Sequence, residues 1–254
     1  MKDWLDDLRC AVAFLTRVPM PHPEGPTPEN FARAYRVFPL IGGGIGLTIG
    51  AVHIGFIAIG LPALTAAALA LGAGSVLTGA LHEDGLADVA DGFGGGSGRA
   101  AKLEIMRDSR LGTYGALALL ISFAAKASAL AALPRAWTLP SLIAAHAIAR
   151  VPPVFMAVWM PSARADGLAA TAGRPDAPTA ATAAFIAMVI ALLLLPWLDA
   201  LGTAVLATAG ALLMAILAQR QIGGVTGDVL GAAEQIGETA ILLLLAASLA
   251  RAVP

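Results

Sequence analysis

Residues 179–198 read TAATAAFIAMVIALLLLPWL, twenty residues without a single charge. A bilayer core is crossed by a helix of about 20 mostly apolar residues, so this segment is long enough to span one. Six further apolar stretches occur at 37–59, 61–81, 112–133, 139–160, 200–218 and 237–253. Charged residues make up 13% of the chain, against about 25% in a soluble domain, so polar surface is short by roughly half. The expected fold is an all-α, polytopic membrane helix bundle with about seven transmembrane helices, forming one unit over 1–254. The breaks at Gly60-Leu61-Pro62 and between Pro196 and Gly202 leave room for a hairpin or a kinked pair. Gly42, Gly46 and Gly50 repeat at every fourth residue, which predicts a smooth face for close helix packing.

The start of the chain, MKDWLDDLRCAVAFLTRVPMP, is acidic and lacks an uninterrupted apolar core, unlike a cleavable signal peptide. Trp4, Leu5, Leu8, Val12 and Leu15 recur at helical spacing before Pro19, Pro21 and Pro23, within an N-terminal interfacial segment over 1–36. Two readings fit: an amphipathic helix lying on the membrane, or a half-buried helix packed on the protein itself. Cys10 is the only cysteine, which excludes an intrachain disulfide and a cysteine metal site. A net charge of −1, with no basic face interleaved with aromatics, argues against a nucleic-acid partner.

Alternating spans put the N-terminus and the connections 82–111, 161–178 and 219–236 on one side. That side collects twelve of the sixteen Lys and Arg residues; the other has only Arg135 and Arg251, while Lys126 and Arg150 fall inside spans. The positive-inside rule assigns the rich side to the cytoplasm of a cytoplasmic (inner) membrane. The acids cluster in the same connections, as in an enzyme using cytosolic substrates. A solute or metal-ion transporter would more often place charge near mid-bilayer and show two matching halves.

The first connection opens with HEDGLADVADGFGGG. On a helix, Asp84, Asp88 and Asp91 at i, i+4 and i+7 share one face. Three adjacent carboxylates repel unless a cation sits among them, and hard oxygen ligands suit Mg²⁺ or Mn²⁺, with substrate phosphates completing the shell. Residues 166–173, DGLAATAG, repeat the frame with Ala170 and Gly173 in place of Asp88 and Asp91, so the frame itself does not require those acids. Downstream, Asp108 lies beside Lys102, Arg107 and Arg110, basic groups able to hold phosphate oxygens. For Lys102 and Glu104, intrahelical pairing is an equal account. The last connection places Asp228 after a glycine-rich turn, with Glu234 and Glu238 a helical turn apart. Arg150, deep in an apolar stretch, asks for a polar cavity, and Arg164 sits just past that stretch.

The blocks HEDGLADVADGFGGG, LEIMRDSRLGTYG and GGVTGDVLGAAEQIGE resemble those of the adenosylcobinamide-GDP ribazoletransferase, or cobalamin synthase, family. FLTRVPMP, FPLIGGGIG, ARVPPVFM and SARADGLA resemble it too, in order along nearly the whole chain. Glu83 departs from the pattern, which has an apolar residue there. The resemblance implies a Mg²⁺-dependent membrane enzyme that joins adenosylcobinamide-GDP to α-ribazole, or its 5′-phosphate, and releases GMP. Asp84, Asp88 and Asp91 would then hold the metal, and Asp91 or Asp228 would take the proton. Arg107, Arg110, Arg150 and Arg164, with Asp108, would line the substrate site. A CDP-alcohol phosphotransferase is the nearest rival, but it wants DG-x-x-A-R where this chain has Asp88. The sequence leaves open a homo-oligomer.

Overall fold

The computed structural model describes residues 2–21, 27–164 and 173–249, and among them the protein is built of helices with one isolated bridge, Ser162 to Val225. The DGLAATAG echo lies mostly outside the described residues. Two short helices, α1 (Lys2–Leu15) and α2 (Pro28–Ala34), lead through a 3-10 turn at Tyr35–Val37 into α3 (Phe38–Ala58). Then come α4 (Ala63–Thr78), α5 (Leu81–Gly95), α6 (Arg99–Ile105), α7 (Thr113–Ala132), α8 (Arg135–Ala149) and α9 (Val151–Trp159). The last described helices are α10 (Ala177–Leu194), α11 (Trp197–Ile222) and α12 (Gly227–Leu249). Among the described residues, six helical segments are long and apolar enough to cross a membrane, with α2 through α3 and α8 with α9 each counted together, and the α4–α5 pair makes a seventh if taken as one broken span.

That pair corrects the span expected at 61–81. α4 has sixteen residues, about 24 Å of helix, and a 93° bend separates it from α5. The bend is made by Gly79 and Ala80, with φ of 67° and 56°. The left-handed region is open to glycine but costs an alanine roughly 1 kcal/mol or more. The acid block therefore lies on a helix turned away from the span before it.

The last span also begins earlier than expected. α12 starts at Gly227, and the connection expected over 219–236 shrinks to residues 223–226 between α11 and α12. Glu234 and Glu238 thus lie within the helix, Glu238 about 16 Å along it and close to its midpoint. Charge does occur near mid-span, so that criterion did not separate an enzyme from a transporter.

Small residues set the helix contacts. Side chains at Gly42 and Gly46 would run into the α8 backbone at His146 and Leu142, so the predicted glycine face is where α3 meets α8. One face of α1 packs on the protein itself. Asp7 on its inner face is fully buried and pairs with Arg33 at 2.8 Å and Arg36 at 2.5 Å, while Cys10, Ala11 and Leu15 join the core.

The connections expected on one side meet at one end of the bundle. Arg17 N–H donates to Leu77 O at 2.7 Å, and Ala163 N–H to Val225 O at 2.9 Å. The Arg99 guanidinium donates to Ile222 O and Ala163 O, at 2.8 and 3.1 Å. Lys102 bonds Gln221.

Candidate active site

Glycine brings the two acidic helices together. A Cβ on Gly85 would stand 2.7 Å from Asp228 O, so only glycine lets α5 lie this close to the start of α12. The contact places Asp84 and Asp228 on the lining of one cavity of about 320 Å³, together with His82, Arg150, Arg164, Thr226 and Glu234. Asp228 Oδ2 accepts the Thr226 hydroxyl at 3.1 Å and lies 3.5 Å from Arg164 Nη1. Arg164 is braced from the other side by Leu103 O at 3.0 Å. Asp88 lies in the field of Asp84, Asp228 and Asp91, with Arg164 the cation that offsets them. Four acids thus share one neighbourhood, and hard carboxylate oxygens with like-charge crowding suit a divalent cation.

Asp91 has a duty that its spacing does not reveal. It is 8% exposed, and its two oxygens accept N–H groups of the segment that opens α7, from Gly112 at 2.8 Å and Gly115 at 2.9 Å. The first N–H groups of a helix lack partners within it, so this carboxylate ties α5 to the start of α7. Asp84, Asp88 and Asp228 are the carboxylates of the group that α7 does not engage in this way.

Not all of the basic residues expected at the substrate site reach the cavity. Arg164 reaches the cavity. Arg150 lines it too, but its Nη1 is 3.0 Å from Glu234 Oε1 and donates to His146 O at 2.7 Å. Arg110 and Asp108 pair with each other at 2.5 Å on the surface, the arginine side chain 87% exposed, and neither lines the cavity. The bonds from Arg110 hold the Asp108 carboxyl below its ordinary range. Arg107 is exposed beyond α6. Helical spacing put these groups near the acids in sequence, but the loop carries them outward.

Behind the cavity lies a buried polar network. Lys126 donates to Gln235 at 2.7 Å and to Glu238 at 3.0 Å, and His146 Nδ1 stands 3.0 Å from the other Glu238 oxygen. Gln235 donates to Glu234 at 3.1 Å. Among the described residues, the tight three-ligand grouping is His146, Glu234 and Glu238, within 4.8 Å of one another, not the aspartates. Lys126 and Arg150 already balance its two carboxylates, so it reads as an ion-pair core. Glu83 accepts the Ser75 hydroxyl at 2.9 Å and lines a second cavity of about 330 Å³ beside this network, away from Asp84.

A family model described as cobalamin-5-phosphate synthase matches residues 7–246. The chain belongs to this family. Curated relatives extend the match: a protein of Bradyrhizobium diazoefficiens is 46% identical, over 97% of this chain and 95% of its own. One from Sinorhizobium medicae is 43% identical over 97% and 98%, and one from Azorhizobium caulinodans 42% over 94% of each. All three are named adenosylcobinamide-GDP ribazoletransferase. No solved structure matches. The stretch matched as a cobalamin-5-phosphate synthase takes in every residue of the cavity, of the Asp91 tie and of the ion-pair core. The family is neither the phosphotransferase rival nor a transporter.

Proposed function

We propose that the protein is a Mg²⁺-dependent ribazoletransferase of the cytoplasmic (inner) membrane, working on adenosylcobinamide-GDP and α-ribazole or its 5′-phosphate. The observation that carries this reading is the meeting of Asp84, Asp228 and Arg164 on one cavity, from three segments far apart in sequence. The asymmetry of Lys and Arg supports a cytosolic face for that end.

Asp84, Asp88 and Asp228 would hold the ion; hard carboxylate oxygens suit Mg²⁺, which keeps waters and takes substrate phosphates into its shell. When bound, it would neutralise charge on the pyrophosphate and on the leaving phosphate. A ribose hydroxyl of α-ribazole attacks the phosphorus that carries the cobinamide aminopropanol oxygen. The new P–O bond forms as the bond to the GMP phosphate breaks, and GMP departs with the bridging oxygen. Asp228, oriented by Thr226, accepts the hydroxyl proton, and Arg164 faces the phosphoryl oxygens as charge builds. The cavity holds a nucleotide-sized piece of the substrate, leaving the corrin ring outside.

The test is incubation of detergent-solubilised protein with adenosylcobinamide-GDP, α-ribazole and Mg²⁺, followed by chromatography. Cobalamin and GMP should appear in equal amounts and vanish with EDTA. Absence of product, or full activity in Asp84→Ala and Asp88→Ala, would overturn the proposal.

A further inference from the structure

The cavity has two unlike walls. One carries Asp84, Asp228 and Arg164; the other is formed by the rings of Phe14, Phe31, Tyr35 and Phe38. α1, α2, the 3-10 turn and α3 each supply one ring. Phe14 meets Phe31 edge to face at 4.7 Å, and Tyr35 lies 4.6 Å from Phe38 between centroids. Three of the chain's eight phenylalanines and one of its two tyrosines gather here, in a protein whose core is otherwise mostly Ala, Leu, Ile and Val. Holding α1 in place does not by itself call for this wall, because the buried Asp7 ion pairs already do so.

Tyr35 supplies the second observation. The residue is 7% exposed, and it borders the cavity. A tyrosine joins an apolar ring to a hydrogen-bonding tip, so it can offer a bond as well as a surface to a ligand there.

We propose that the aromatic wall is the base subsite of the active site. It receives the heteroaromatic base of a nucleoside whose sugar and phosphate reach the acidic wall, and the Tyr35 hydroxyl bonds a polar atom of that base. The cavity volume of about 320 Å³ suits a base and its sugar. On this view α1 and α2 belong to the binding site. The identity of the nucleoside rests on the ribazoletransferase reading, in which guanine and the ribazole base are the two sources of such a ring.

Calorimetric titration of the purified protein with Mg²⁺ present tests the subsite, using GMP, α-ribazole and the base-free ribose 5-phosphate as probes. At least one base-bearing probe should bind tenfold or more tightly than ribose 5-phosphate. Phe31→Leu should weaken that probe about tenfold, as loss of a stacking ring does, and leave ribose 5-phosphate unchanged. Tyr35→Phe, which keeps the ring, should weaken it several-fold without lowering the melting temperature, and it decides the matter if Phe31→Leu fails to fold. Whichever probe responds identifies the base. The subsite is overturned if neither variant changes base binding, or if wild-type protein does not distinguish the probes. Transfer activity of the same wild-type sample separates the two claims: turnover without base-dependent binding removes only the subsite, and base-dependent binding without turnover removes only the reaction.

Discussion

Replacing Asp91 with asparagine takes one acceptor from a tie built for two. The carboxylate receives Gly112 N–H on Oδ2 and Gly115 N–H on Oδ1, at 2.8 and 2.9 Å. A Cβ at either glycine would run into that carboxylate, so the backbone of α7 cannot back away and still be served by the same side chain. Asparagine offers one oxygen, and its NH₂ would face the second N–H. A buried donor left without a partner costs about 1–3 kcal/mol, and removing the negative charge from a helix N-terminus adds about 0.3–1 kcal/mol. The total is about 2 kcal/mol, which for a chain of this size shifts the melting temperature by about 4–8 °C. Melting of the detergent-solubilised variant, followed by tryptophan fluorescence, reads the stability term. Transfer activity well below the melting point reads the chemical one. We expect the lower melting temperature with activity kept within about tenfold. An unchanged melting temperature with activity reduced a hundredfold or more would show that Asp91 acts on the substrate or metal and that its hydrogen bonds to α7 are incidental.

Gly85→Ala should separate α5 from α12 and cut transfer at least tenfold, since its Cβ would meet Asp228 O at 2.7 Å; Gly44→Ala, which opens into free space, is the control that should leave activity intact. Lys126→Met strands Glu238 with His146 alone and should cost about 3–5 kcal/mol, seen as poor recovery of folded protein, with part of the loss restored by adding Glu238→Gln. Arg164→Ala should reduce turnover tenfold or more, whereas Arg110→Ala, with its side chain in solvent and paired to Asp108, should stay within twofold. Equal losses in the two arginine variants would contradict the placement of the cavity.

The bundle was legible because hydropathy and segment length are properties of the chain alone. Asp84 and Asp88 stood out because charge is scarce around them. Asp91 shows the limit: a helical spacing fixes the face of a residue but not the partner its side chain finds, here 21 and 24 residues away. The early start of α12 was missed for a related reason. A window that penalises charge ends a span at Glu234 and Glu238, which are 1% and 2% exposed. Their cost is removed by Arg150, Lys126 and His146 on other helices, and no local pattern names those partners. Lys126 and Arg150 each signalled from the sequence that an acid or a cavity must be near; only the packing says which.

The short α4 carries a consequence for the lipid around it. A helix of about 24 Å set in a hydrocarbon core of about 30 Å is mismatched, and the bilayer meets a short helix by thinning against it. Where α4 and α5 together serve as one broken span, such thinning would draw headgroups and water toward the Gly79–Ala80 turn from which α5 leaves. The turn would then bring the aqueous phase toward Asp84, while the ion pairs on α12 stay buried.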